Sequence, residues 1–507
     1  MNKSVILKNG ISGLTSQVVK IIFTFFTRSL FIKYIGVEVL GISNTFSSIL
    51  SALSLTDLGF QTAVAFSLYK PLQEDDKETI NDIMNVFRVV YVFIGCFIIA
   101  AAVVLLPALK YVLKGVEIST EIYIYFILQA SSSACSYFLA YKRVLLYADQ
   151  KAYISKNIDL VMYIIFNILQ CLTLVRFKNY VVYLILNIIQ VCVSNIYVHL
   201  YCAKEYPFLH FSRFNKDIFK SIFSNVKNVF AGKIASYIYS STDNLVISTF
   251  VSTVSVGYLV NYTTIISNLK ILTRSVLDSM VPIIGNFLTD ASKAKKEESF
   301  RIYSHIRYLI ALCIIIPYYI LVDDFMGWWI GPDIRLSRII VLLLSVELYM
   351  DLVHSGTYDY ITGAGLFRQE KKVNFAGAIV NIVTSIVLVQ LIGISGVLVG
   401  TVISQIIFWI GRSWVVYFQC FQTTRKSYYK YWITNVLYVV AFVGIYWGVK
   451  FVCSFIQMDY ILVEIFVKGC VAEIVIVLLA CIIFQKNQAQ KFLVNKILQI
   501  CKLHWKL

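Results

Sequence analysis

Charged and polar side chains recur at three- and four-residue steps inside otherwise apolar segments, and these are the positions at which this sequence could do chemistry. Gln17, Lys20, Thr24, Thr27 and Arg28 make one stripe; Lys233, Ser236, Ser240, Asp243 and Asn244 a second; Ser267, Lys270, Arg274 and Asp278 a third. Asn44, Ser47, Ser51, Ser54, Asp57 and Gln61 make a fourth, polar rather than cationic. Such spacing places each set along one helix face. A charge in hydrocarbon is costly, so these residues are expected to face a cavity or a partner. The deep charges are mainly cationic, which points to an anionic ligand. Arginine can grip phosphate oxygens with a planar fork and lysine acts as a point charge, with no chemistry on the bond. Arg28, Lys20, Lys270, Arg274 and Lys233 are therefore the candidate substrate-binding residues.

A different stripe, Glu347, Asp351, His354 and Tyr358, follows at steps of four, three and four. Glu347 and Asp351 are candidates for proton or sodium coupling, and serve equally well as counterions for the cations. Asp57, Asp243 and Asp278 are the other acidic candidates, and an ion pair with one of them is the structural alternative for Lys20, Lys270 and Arg274. Arg88, Arg307 and Arg412 fall near predicted inner helix ends, where long side chains snorkel to the interface. The eleven cysteines are scattered through apolar segments with no C-x-x-C pair, and the five histidines are dispersed. They read as buried small hydrophobes and lone rings, so no metal or cofactor site is assigned.

The elements that must position these residues are membrane helices. Of 507 residues, 59% are hydrophobic and 14% charged, too apolar for a soluble chain of this length. The apolar runs match the roughly 20 residues of a spanning helix rather than the roughly 10-residue alternating strands of a barrel. Length and punctuation predict an all-α polytopic protein of about fourteen helices, near 11–35, 41–69, 83–107, 118–147, 151–175, 179–202, 222–250, 256–286, 301–322, 336–363, 372–391, 394–418, 430–456 and 459–484. The second is expected to stop at Tyr69 because Pro71 lacks an amide hydrogen.

The net charge of +17 comes in short groups between apolar segments, which is a topology signal and not a nucleic-acid-binding face. With the N-terminus in the cytoplasm, inner loops and tails carry 28 lysines and arginines and outer loops eight, which places both termini in the cytoplasm. The start of the chain lacks the pattern of a cleaved signal, so its first helix is expected to be retained.

Sliding the chain by 216 places Gly41 on Gly257, Phe46 on Tyr262 and Ser51 on Ser267. An even number of helices separates the copies, which predicts parallel repeats about an axis along the membrane normal. The expected organisation is an N-lobe over 1–202, a cytoplasmic amphipathic linker at 203–221, a C-lobe over 222–418, two further helices within 419–484 and a basic cytoplasmic tail at 485–507. The linker is read as an interfacial helix with Phe211, Phe214, Ile218 and Ile222 on its apolar face. A polar cavity lined by the helices bearing the cationic stripes is expected between the lobes.

The run LSLTDLGFQTAVAFSLYKPLQEDDKETI, preceded by TRSLFIKYIGVEVLGI, resembles the polysaccharide (lipid-linked oligosaccharide) flippases of the MOP exporter superfamily, which also contains the MATE exporters and the lipid II flippases. The likeness is strong over Leu7 to Ile83 and weaker beyond. It implies a MATE-like fold in a bacterial cytoplasmic membrane and a cargo of undecaprenyl-diphosphate-linked oligosaccharide moved by alternating access. Membrane lipids and polysaccharide assembly proteins are the implied partners. A MATE-type exporter of organic cations shares the fold but would favour an acidic cavity. A membrane polysaccharide polymerase or ligase is the third reading, and the short outer loops leave little room for its active site.

Overall fold

With no water to bond backbone groups, a chain crossing a bilayer must satisfy them within itself, and helices do so. The computed structural model describes residues 3–54 and 60–504, with side chains described at 8, 12–54, 60–224, 241–496 and 499. Every regular element among them is helical: α1 (Lys3–Tyr34), α2 (Val37–Leu53), α3 (Phe60–Glu74), α4 (Lys77–Leu105), α5 (Leu109–Val112), α6 (Thr120–Cys135), α7 (Lys142–Ala148), α8 (Ala152–Phe177), α9 (Tyr180–Glu205), α10 (Lys216–Phe250), α11 (Thr253–Leu277), α12 (Val281–Asp290), α13 (Lys293–Trp329), α14 (Arg338–Gly363), α15 (Phe367–Ile392), α16 (Ile394–Val415), α17 (Arg425–Cys453), α18 (Ile461–Ile483) and α19 (Gln488–His504). Among the described residues ten helices are long and apolar enough to cross a membrane, and Val37–Leu53 is apolar but shorter.

Three helices predicted as continuous are interrupted or differently bounded. The second does not stop at Tyr69: α3 runs through Pro71, whose last turn is held by the buried Leu68 and Pro71. It stops where Asp75 adopts φ 51, and the Asp76 amide bonds back to the Pro71 carbonyl at 2.9 Å. The fourth breaks after Cys135, where Asn195 takes up the carbonyls of Cys135 and Phe138 at 2.9 and 3.1 Å. The eighth breaks at Asp278–Met280, just before Pro282 at the start of α12.

The linker also departs from the interfacial helix expected of it. Residues 206–215 are not helical, and α10 begins at Lys216. One face of α4 supplies the bonds a helix would have made internally. Asn81 accepts from the His210 amide and Asn85 donates to the His210 carbonyl, both at 2.8 Å. Asp82 accepts from Ser212 and Asn215 at 3.1 and 3.0 Å, and the Arg88 guanidinium lies 3.7 Å from the Phe211 ring centre. Arg88 therefore stacks on the linker.

The chain divides into two compact units, Met1–Val260 and Asn261–Leu507. In the first, α1 packs on α8, α8 and α6 on α9, and α4 on α6. Its core is built on Ile42, Phe46, Phe87, Phe126 and Leu145, with the Phe46 and Phe126 rings 4.8 Å apart. Gly41 and Gly257 meet where α2 crosses the first turns of α11; a Cβ on either would overlap a carbonyl oxygen of the other helix. Small residues let backbones approach this closely where there is no hydrophobic force between helices.

In the second unit α15 and α16 pack closely, with Gly396 against the Leu388 carbonyl and Gly400 against Ser385. The other side of α15 exposes Ile379, Val383, Val387 and Leu391 at four-residue steps, a lipid-facing stripe opposite the buried Asn381 and Ser385. An aromatic core of Phe300, Tyr360, Tyr417, Phe421 and Tyr431 holds α13, α14 and the segment after α16 together.

Candidate functional site

In the second unit the stripe on α11 meets the stripe on α14. Lys270 Nζ lies 3.1 Å from Glu347 Oε1 and 3.7 Å from Asp351 Oδ2. Arg274 NH2 donates to both Asp351 oxygens at 2.9 and 3.2 Å. Both pairs are 77 residues apart in sequence, the constant offset that two neighbouring helices running in the same direction produce. The four-residue step on each helix thus becomes one ladder of two cations and two carboxylates.

Exposure along that ladder is unequal. The side chains of Lys270, Glu347 and Asp351 are 21%, 20% and 15% exposed, whereas Arg274 is 57% exposed. Asp351 contacts one nitrogen of the guanidinium, and among the described residues no other hydrogen bond to the fork is made. The residues expected as counterions on structural grounds are placed differently. Asp278 is exposed in the turn after α11, and the partners of Lys270 and Arg274 in this unit are Glu347 and Asp351 instead.

His354 belongs to the same sequence stripe but not to the ladder. Its ring stacks on Trp409 at 3.5 Å and 16°, buried, and among the described residues neither nitrogen makes a hydrogen bond. Tyr358 lies 5.2 Å from the Arg412 guanidinium, and Arg412 itself reaches Asn374 at 2.9 Å and Glu370 at 3.3 Å. Arg412 is therefore paired with the first turns of α15.

About two turns beyond the ladder along α14, Arg307 and Asp359 form a buried ion pair at 2.7 Å, with side chains 3% and 6% exposed. Arg307 also donates to the Leu352 carbonyl at 2.7 Å and to Tyr303, whose hydroxyl donates to Asp359 at 2.6 Å. Gly356 makes room, because a Cβ there would stand 3.0 Å from Arg307 Cδ. Burial against Asp359 overturns the expectation that Arg307 snorkels. Asp359 escapes the sequence reading because it lies off the 347/351/354/358 stripe and 52 residues from Arg307. The available signal is an unexplained acid inside a spanning segment.

In the first unit the polar stripe of α1 partly faces α8. Ser12 and Thr27 donate to Asn157 and Asn167, both at 2.5 Å, and Lys20 lies 5.8 Å from the Tyr163 ring centre. Arg28 is half-buried near Tyr183. On α2, Asn44 and Ser54 bond back to carbonyls four residues earlier, a local satisfaction open to short polar side chains. Ser47 bonds back in the same way, to the Ser43 carbonyl at 2.9 Å, and also accepts from Gln129 of α6 at 2.8 Å. Asp243 is half-buried on α10. Asp57 and the side chain of Lys233 lie outside the described residues.

Comparisons with known proteins agree with this architecture. The profile of a family described as Polysaccharide biosynthesis protein matches residues 6–288. No curated protein matches the chain. Among solved structures the chain is similar to a lipid II flippase MurJ in an inward closed conformation, at 15% identity and TM-score 0.69, covering 95% of this chain and 99% of that one. It is also similar to an inward-facing multidrug resistance MATE family transporter of the MOP superfamily, at 14% identity and TM-score 0.63, covering 80% and 97%. A point mutant of the Vibrio cholerae MATE transporter VcmN follows at 13% identity and TM-score 0.55, covering 83% and 98%. The all-α, multi-pass fold is therefore that of the MurJ and MATE transporters, and the chain belongs to the family described as Polysaccharide biosynthesis protein.

Proposed function

We propose that this transporter moves an undecaprenyl-diphosphate-linked oligosaccharide, such as a repeat unit of O-antigen, capsule or exopolysaccharide, across the bacterial cytoplasmic membrane by alternating access. The observation that carries this reading is Arg274, anchored by Asp351 yet 57% exposed. A diphosphate can take the unused donors of that fork and compete with Asp351 for the remainder. Lys270 adds a second positive charge one turn away, and Arg28, Lys20 and Lys233 supply further cations for the cargo. Glu347 and Asp351 neutralise the ladder when no anion is bound. A proton or a sodium ion taken up by either carboxylate frees a cation for phosphate, which would couple transport to an ion gradient. Both termini are cytoplasmic in this scheme, and the protein performs no bond chemistry.

The test is binding of a lipid-diphosphate sugar to purified wild type, Arg274→Ala and Arg274→Lys, beside an organic cation. Alanine removes a charge-assisted contact of about 1.5–3 kcal/mol, about tenfold to a hundredfold in affinity. Lysine keeps the charge without the fork, so partial binding is expected. Tight binding of the organic cation to wild type, with lipid binding indifferent to Arg274, would favour a MATE-type exporter in which Glu347 and Asp351 are the ligands.

A further inference from the structure

At the end of the second unit where α13 and α17 both begin, a cavity of about 210 Å³ opens beneath the tail helix α19. Its charged lining is balanced: Glu297, Glu298 and Arg301 come from the first turns of α13, and Lys430 from α17. Among the described residues no ion pair within 4 Å joins these four, although Arg301 follows Glu297 by one helical turn. Two separated cations and two separated carboxylates suit a ligand that carries both signs, and a simple anion would meet the carboxylates at a cost.

The floor is aromatic. Phe300, Tyr417 and Tyr431 stand with ring centres 5.3–6.0 Å apart. These rings are buried against one another in the aromatic core and close the cavity on that side. The roof is fixed rather than loosely laid. Gln490 of α19 bonds to the buried His305 at 2.9 Å, and the other nitrogen of that ring bonds to Tyr438 at 2.9 Å. Phe492, on the same helix and also lining the cavity, is 46% exposed, and Lys491 beside it is exposed. A helix with an apolar side toward its surroundings and basic residues beside it lies at a membrane surface, so lipid headgroups have access to the cavity.

We propose that this cavity binds a phosphoethanolamine group, with the phosphate on Arg301 and Lys430 and the ammonium on Glu297 and Glu298. The source is the headgroup of a surrounding phospholipid or a soluble phosphoethanolamine. The site stands apart from the Lys270–Asp351 ladder and does not depend on the cargo proposed for it.

The experiment uses the full chain in lipid nanodiscs, with retained lipid counted by native mass spectrometry after exchange between phosphatidylethanolamine and phosphatidylglycerol, and with soluble phosphoethanolamine as competitor. Wild type is expected to retain phosphatidylethanolamine about tenfold over phosphatidylglycerol, the effect of one charge-assisted contact. The double variant Arg301→Ala/Lys430→Ala loses that retention. The double variant Glu297→Gln/Glu298→Gln keeps phosphate binding and shifts the preference toward phosphatidylglycerol, so the proposal remains decidable if the first variant unfolds. Binding of the soluble compound without the lipid would assign the site to the free metabolite. Equal retention of the two lipids by wild type, or a preference unmoved by the glutamine variant, overturns the proposal. Lipid-diphosphate binding through Arg274 is expected to be unchanged in both variants, which keeps this result separate from the flippase test.

Discussion

Gly41 and Gly257 face each other across a helix crossing, and the contact is reciprocal. The space above Gly41 is taken by the Thr253 carbonyl, and the space above Gly257 by the Val37 carbonyl. The offsets agree, since 257 − 41 = 216 and 253 − 37 = 216. A contact in which residue i meets j while j meets i is the mark of a two-fold relation, so α2 and the first turns of α11 are related by a local two-fold at this crossing. Phe46 and Tyr262, paired by the same offset, are both fully buried.

Substituting valine at either glycine is therefore expected to force the two helices apart. Overpacking of this kind costs about 1–3 kcal/mol. Gly41→Val and Gly257→Val should each lower the midpoint of thermal unfolding in detergent, by similar amounts. A drop for only one of them would argue against the reciprocal crossing.

Removing one partner of the buried Arg307–Asp359 pair leaves an uncompensated charge. Asp359→Asn is expected to destabilise the protein by about 3–5 kcal/mol, and the double variant Arg307→Met/Asp359→Leu by much less. A double-mutant cycle on thermal or denaturant unfolding measures this. Equal losses in the single and double variants would show that Arg307 contributes through packing alone.

Neutralising the ladder separates coupling from structure. In Glu347→Gln and Asp351→Asn, gradient-driven transport into proteoliposomes should be abolished while lipid-diphosphate binding is largely retained. Loss of binding or of folding in the same variants would assign both carboxylates a counterion role only.

Topology follows from the basic residues between helices. Reporter fusions after Lys77, Lys296 and Lys372 are expected to read cytoplasm, and one after Val116 the exterior. A consistent inversion would reverse the proposed direction of every helix.

What the sequence determined by itself is the class of fold and the faces that matter. Apolar runs of spanning length must become helices in a bilayer, because no other open element satisfies its backbone there, and three- and four-residue steps put Lys270 with Arg274 and Glu347 with Asp351 on common faces. The 216-residue offset was legible for the same reason, because glycine and aromatic positions repeat with the packing they serve. What only the tertiary structure decided is which face meets which. Lys270 with Glu347, Arg307 with Asp359 and Arg88 with Phe211 join helices and linker at separations that no local spacing encodes. The same limit explains why α1, read from its stripe as lining a cavity, gives Ser12 and Thr27 to the amides of α8. A polar face states that a partner is required, and only the packing of neighbouring helices supplies its identity.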